Sequence, residues 1–430
     1  MVIGKQFFTT ALLRPEEAVQ TQPQTVKLIT QFFAPDYAAT GQLLDELVRQ
    51  LARQGMPVDV FTGQPGYAYG EAEAPRHESD QNLTVRRSRM SQLWPKRIRG
   101  KAINGLLFAV RAFLHVIRHG GCRDRVLLLT TAPPFLPVLG YLISLLFNTP
   151  YVVILYDLYP DIAVELGVVE YRHPVARLWR WLNQRVWRRA KALIVLSPSM
   201  KERVVAHCPD VADRVEVIHS WADPELIRPI KKEDNWFARK HGLVDTFTVL
   251  YSGNMGRCHD IDTIFEAAKL LRDEPIKFVC IGGGAKREKL IEDVKREGIE
   301  ENFLFLPYQE KKDIPYSMTA CDVSLVSVSE GMESLVAPSK LYPALAAQKP
   351  VTVICPEKAY LKGLIAQANC GASFSNGDSS GLADFLRVLS NDQSLRRKLG
   401  SASRHYLKRL FTVDIIARRY CRALLQTQEK

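Results

Sequence analysis

Residues 26–63 read VKLITQFFAPDYAATGQLLDELVRQLARQGMPVDVFTG. Two apolar runs, 26–33 and 58–63, flank a segment whose Leu43, Leu44, Leu47 and Leu51 follow an i, i+1, i+4, i+8 stripe. That spacing predicts one helical face. Gly55 then ends the stripe as a residue past a helix C-terminus does. Continuous Val/Ile/Leu runs are the mark of parallel strands buried on both faces, so the stretch predicts a β-α-β unit of a doubly wound sheet.

The same grammar extends outward in both directions. Apolar runs recur at 125–131, 150–156, 192–197 and 215–220, and a second series follows at 246–253, 276–283, 302–307, 322–328, 350–355 and 370–374. Helical patterns separate them at 261–272, 286–297, 339–347 and 382–389. The charged, turn-rich segment 223–235 divides the series. For 430 residues this predicts two α/β domains. The expected organisation is a loose extension over 1–24, a first domain over 25–225, a second over 226–408 and a C-terminal helix within 409–430. No solenoid period is apparent.

Composition narrows the class. With 47% apolar and 24% charged residues the chain is globular. The apolar run 126–156 is broken by Pro133, Pro134, Pro137 and Pro150, which predicts strand, helix and strand rather than a membrane span. The N-terminus shows no signal-peptide pattern. Eight scattered cysteines without a C-x-x-C pair predict reduced thiols and no zinc site. The net charge of +12 is segregated: residues 86–125 hold eleven basic side chains against Asp124, and 171–203 hold nine against Glu202. Such strips point to an anionic surface rather than to nucleic acid.

Ligands of doubly wound sheets bind outside the carboxyl ends of the strands. Five loops therefore carry the candidate chemistry. Loop 34–41 ends in Thr40 and Gly41 before a helix, either small residues for close approach to a phosphate or ordinary capping. Loop 156–161 ends a buried strand with Asp157 and adds Asp161, as catalytic carboxylate or as helix cap. Loop 252–260 supplies Gly253, Asn254, Gly256, Arg257 and His259, a turn with cations suited to a diphosphate or a plain turn capped by Asp260. Loop 282–286 repeats that design with Gly283, Gly284 and Lys286; it is neither a G-x-G-x-x-G fingerprint nor a Walker A loop. The last, SEGMESLVAPSKLYPALAAQKPV (329–351), puts Ser339 and Lys340 at a helix start, where a cation opposes the macrodipole unless an anion binds there.

In order along the chain, Gly41, DLYP (157–160), SPS (197–199), IHSWAD (218–223), YSGNMG (251–256), IGGG (281–284), PSKLY (338–342) and AAQKPV (346–351) together resemble glycosyltransferase family 4, the retaining GT-B group, in its bacterial exopolysaccharide and colanic-acid-type branch. The resemblance implies two facing Rossmann-like domains, the first for the acceptor and the second for a nucleotide sugar, with the C-terminal helix crossing back. It implies that Gly41 approaches the leaving phosphate, that Gly253, Asn254, Arg257, Lys286, Ser339, Lys340 and Leu341 line the donor site with Glu333 near it, and that Gly283 lies near the base. Asp157 would be the catalytic group beside the transferred sugar, with Tyr156 and Asp161 toward the acceptor. The sequence departs from the family at three points. Tyr156 precedes Asp157 where many members have His, Asn254 stands where an Arg is usual, and the E-x7-E positions fall on Leu335 and Pro343.

Arg257, Lys340 and helix N-termini would neutralise the departing diphosphate without a metal, and no cofactor beyond the nucleotide sugar is expected. The expected acceptor is lipid-linked or glycan, and the expected place is the cytoplasm, peripherally on the inner face of the plasma membrane. Residues 94–120 and 177–192 set arginines among apolar and Trp side chains, as membrane-surface helices do, or as ordinary Rossmann helices with one solvated face. The rival reading is a catalytically silent GT-B scaffold partnering another transferase. An epimerase or a nucleic-acid binder fits the loops less well.

Overall fold

The computed structural model describes residues 25–36, 38–65, 74–89, 98–118 and 125–425. The expected extension 1–24, part of the basic strip 86–125 and Cys122 lie outside them. The first sheet is built from β1 (Thr25–Ile29), α1 (Ala39–Arg53), β2 (Val58–Thr62), β3 (His77–Asp80), β4 (Leu83–Arg87), α2 (Ile98–Arg118), β5 (Arg125–Thr130), α3 (Leu136–Phe147), β6 (Tyr151–Leu155), α4 (Asp161–Glu165), α5 (Pro174–Arg189), β7 (Ala192–Val195), α6 (Pro198–His207) and β8 (Val215–Val217). Its order is β3-β4-β2-β1-β5-β6-β7-β8, parallel except for β3 at the edge. Ile29 is in register with Phe61 on one side and Leu129 on the other. The one charge in β1, Lys27, is buried and is neutralised by Asp59 of the neighbouring strand at 3.2 Å.

The second sheet comprises α7 (Trp236–Lys240), β9 (Phe247–Ser252), α8 (Asp262–Leu270), β10 (Ile276–Ile281), α9 (Arg287–Glu297), β11 (Phe303–Leu306), α10 (Ile314–Thr319), β12 (Val323–Ser327), α11 (Leu341–Ala346), β13 (Val351–Ile354), α12 (Tyr360–Ala368), β14 (Gly371–Phe374), α13 (Ser379–Asn391), α14 (Gln393–Leu410) and α15 (Val413–Leu425). Its order, β11-β10-β9-β12-β13-β14, is wholly parallel. The strand order reverses around β9, which opens a crevice at the carboxyl ends of β9 and β12.

Chain direction places the helices. The connection from β1 to β2 runs one way across the first sheet, whereas those from β4 to β5, β5 to β6 and β6 to β7 run the other. With right-handed crossovers, α1 lies on one face and α2, α3 and α5 share the opposite face. α15 returns to pack against α1, burying Ile416, Ala417 and Tyr420. The Arg404 guanidinium fixes the segment between the sheets by donating to the carbonyls of Pro224, Ile227 and Ala346 at 2.6–2.8 Å. Two expectations change. The edge hairpin β3–β4 adds two strands that the apolar runs do not mark, and the helix over 339–347 starts only at Leu341. The seven cysteines among the described residues are all unpaired.

Candidate active site

The two sheets meet through their loops. Asp157, just past β6, forms an isolated antiparallel bridge with Val336, and the Leu158 amide donates to the Leu335 carbonyl at 3.3 Å. The Thr131 hydroxyl, at the end of β5, accepts from the amides of Tyr156 and Asp157 at 3.1 and 3.3 Å and so fixes the turn. Burial between the domains raises the Asp157 carboxyl to about 6.

Facing this bridge, the loops after β9 and β10 are knitted by their backbones. Met255 N–H donates to Gly283 O at 2.7 Å, and Gly253 N–H donates to Ile281 O at 2.9 Å. Glycine is required at 282, where φ is +121° and a Cβ would stand 2.3 Å from Gly253 O. Lys340 reaches into the same place from the 329–340 loop. Its Nζ donates to the Tyr251 hydroxyl at 2.5 Å and to Asn254 O at 3.2 Å, and a Cβ at Gly253 would touch it. No carboxylate among the described residues pairs with it. Burial alone lowers its ammonium to about 7. Beside it, His259 Nδ1 lies 2.8 Å from Ser327 O; a carbonyl only accepts, so Nδ1 carries the proton. Burial, with the Lys340 charge second, lowers that ring to about 3, and it is neutral.

The remaining expected residues divide. Arg257 is exposed and has no protein partner among the described residues. Gly283 lies under the Tyr308 ring, which a Cβ there would meet at 3.2 Å, leaving a partly exposed aromatic face beside the glycine loop. Ser339 is half-buried at the start of the Lys340 turn. Glu333 holds a carboxylate oxygen, Oε2, buried without a hydrogen-bond partner.

Others are spent on the scaffold. Gly41 lies in the first turn of α1, where a Cβ would stand 2.9 Å from Phe33 N, so close packing on the preceding loop explains the glycine. Lys286 donates to His259 O at 2.7 Å, with Asp262 at 3.5 Å, so its ammonium is already partnered. The Leu341 side chain is in the core. Asp161 binds Arg203 and His207 at 2.8 and 2.6 Å; burial pushes its carboxyl up, but these hydrogen bonds outweigh it and hold it below the usual range. Its acceptor assignment gives way to this buried ion pair. The Tyr156 hydroxyl is buried without a hydrogen-bond partner, near Tyr420 of α15, and is raised by that burial. His259, expected among the cations of its loop, is instead neutral. Sequence reasoning misses Tyr251 and Tyr308, which read as strand and loop filler; their place at strand carboxyl ends is the available signal.

Comparison with known proteins accounts for both halves of this arrangement. Residues 40–221 match the family described as Glycosyl transferase 4-like domain, and residues 233–406 match Glycosyl transferases group 1. The chain belongs to the GT-B glycosyltransferases. This glycosyltransferase is 28% identical to the probable glycosyltransferase WbjE of Pseudomonas aeruginosa over 290 residues, 66% of this chain and 70% of that protein. It is 25% identical to the putative colanic acid biosynthesis glycosyl transferase WcaI of Escherichia coli K12 over 334 residues, 73% and 79% of the two chains. Its fold is similar to that of Anabaena HepE in complex with UDP-glucose, with a TM-score of 0.68 and 16% identity over 94% of this chain and 99% of the other. Among the described residues no cluster of three or more His, Cys, Asp and Glu has the grouping of a metal site.

Proposed function

We propose that this glycosyltransferase moves a sugar, with retention, from a nucleoside diphosphate sugar to a lipid-linked or polysaccharide acceptor in cell-surface polysaccharide synthesis. The observation that carries the donor reading is Lys340. A half-buried ammonium whose only partners are a hydroxyl and a carbonyl, beside glycine loops and a neutral His, leaves its charge uncompensated, and an anion completes it. A diphosphate supplies that anion. As the glycosidic bond breaks, negative charge grows on the departing diphosphate, and Lys340 with the unpaired Arg257 stabilises it where it forms. That reading gives a metal no required part, and chelation is expected to leave turnover unchanged.

The orphaned Glu333 oxygen suits a donor hydroxyl, which would satisfy it. The Tyr308 face suits a nucleobase. Asp157 stands at the domain junction, where it positions the sugar and the acceptor hydroxyl. Likeness to the UDP-glucose complex and to WcaI supports the donor and pathway classes. No helix among the described residues is long and apolar enough to cross a membrane. In this reading a lipid-linked acceptor is met from the cytoplasmic surface.

The test is calorimetric titration of the protein and of Lys340→Ala with a panel of UDP- and GDP-sugars, followed by anomeric analysis of product. At least one donor is expected to bind, with at least tenfold loss in the variant. Absence of nucleotide binding to the unsubstituted protein would favour the silent scaffold, consistent with Leu335 and Pro343 at the E-x7-E positions.

A further inference from the structure

The helices on one face of the first sheet carry apolar side chains toward solvent as well as toward the core. α2, α3 and α5 carry twelve of the nineteen exposed large hydrophobic side chains among the described residues, and α3 packs against both of the others. In α2 the core is served by Phe108, Ala112 and Val116, while Leu106 and Val110, 56% and 48% exposed, turn outward. α3 has no charged residue and presents Leu145 and Leu146; α5 presents Leu178 and Trp181. Single exposed leucines are ordinary, but three neighbouring helices of one face sharing them are not. α2 and α5 contain four and five Arg or Lys and no Asp or Glu. The Arg185 guanidinium lies 5.1 Å over the Trp181 ring and Arg180 4.0 Å over Tyr171. Arg188 of α5 pairs with Asp210 at 2.9 Å, but the helices themselves carry no carboxylate. Such a mixture of aromatic, aliphatic and cationic groups matches the boundary of an anionic bilayer, where rings and alkyl chains enter the headgroup layer and arginines meet phosphates.

We infer that the α2–α3–α5 face is a membrane-docking surface that seats the first domain on an anionic phospholipid bilayer. The expected cationic strips are thus only its margin. Of the three Trp in the α5 segment, Trp187 is buried and Trp179 stacks on Tyr159 at 5.7 Å, leaving Trp181 to insert. The Trp179–Tyr159 stack ties α5 to the loop that carries Asp157, so docking brings the acceptor side of the cleft to the lipid surface. In this respect the inference rests on the lipid-linked acceptor reading.

The test is co-sedimentation of the full chain with vesicles of phosphatidylcholine alone or with about one-third phosphatidylglycerol, at low and high salt. Binding is expected to anionic vesicles, at least tenfold weaker to neutral ones, and at least tenfold weaker for Leu106→Glu/Leu145→Glu/Trp181→Glu. That variant is expected to keep the donor affinity and thermal midpoint of the original, measured without lipid, which excludes misfolding. Failure of the original to bind anionic vesicles at low salt, or equal binding by the variant, overturns the inference. So does a concentration-dependent dimer that the variant dissolves, because a second copy would then cover the face. Vesicle binding without any donor binding sinks the transferase reading while leaving the surface intact.

Discussion

Asp157 and Lys340 face the same crevice with ionisation displaced in opposite senses, both by loss of water, and this sets a pH profile. Asp157 acts as its carboxylate, available above about 6, and Lys340 acts as its ammonium, available below about 7 in the free protein. The specificity constant kcat/KM, which follows the free enzyme, is therefore expected to be bell-shaped with limbs near those two values. Above the upper limb donor binding must take up a proton, because the diphosphate favours charged Lys340; heats of binding at pH 8 are expected to vary with buffer ionisation enthalpy. Asp157→Asn should lower turnover by about 100-fold or more and flatten the acid limb if the carboxylate moves a proton. A flat profile in the unsubstituted protein would separate both groups from the chemistry. At Gly253, φ of +129° and contact of a Cβ with Lys340 predict that Gly253→Ala weakens donor binding at least tenfold by displacing the ammonium, read by titration with UDP-glucose.

At the scale of elements, the interlocked loops after β9 and β10 carry a sharper steric constraint. Gly282→Ala adds a Cβ 2.3 Å from Gly253 O at φ +121°, a position where backbone must move, and is expected to cost about 2 kcal/mol or more. Scanning calorimetry should show the midpoint falling by about 4–8 °C, and an unchanged midpoint would mean the loops yield freely. The parallel strands were legible because burial on both faces writes them as unbroken apolar runs. The β3–β4 hairpin was not, since His77–Asp80 is a polar edge strand paired on one side. Residue roles were legible only where the chain itself places them. Lys340 could be read from its odd position at a helix start, whereas Asp161 looked equally fit for catalysis or capping until Arg203 and His207, more than forty residues away, filled its oxygens. Tyr251 and Tyr308 depend likewise on partners that only folding supplies.

At the scale of the whole molecule, Glu46 of α1 joins the domains. Its Oε1 meets Lys311 Nζ, in the loop after β11, at 2.9 Å, and its Oε2 accepts from Trp221 Nε1, in the segment between the sheets, at 3.1 Å. Trp221 is buried, so its N–H needs that acceptor, while the ion pair is partly exposed and worth less than about 1 kcal/mol to stability. Glu46→Gln keeps an oxygen for Trp221 and removes only the charge facing Lys311. The midpoint of unfolding is therefore expected to move by less than about 3 °C. A crevice that closes over its donor responds differently. Removing a contact made only when closed, worth up to about 1 kcal/mol, lowers donor affinity by up to about fivefold, because binding must supply the lost closure energy. Small-angle scattering should show a larger radius of gyration for the variant without nucleotide and the original value at saturating donor. Unchanged affinity and radius would mean that the domains stay together through the Asp157–Val336 bridge and α15 alone, and that the charge pair merely rides on a fixed interface.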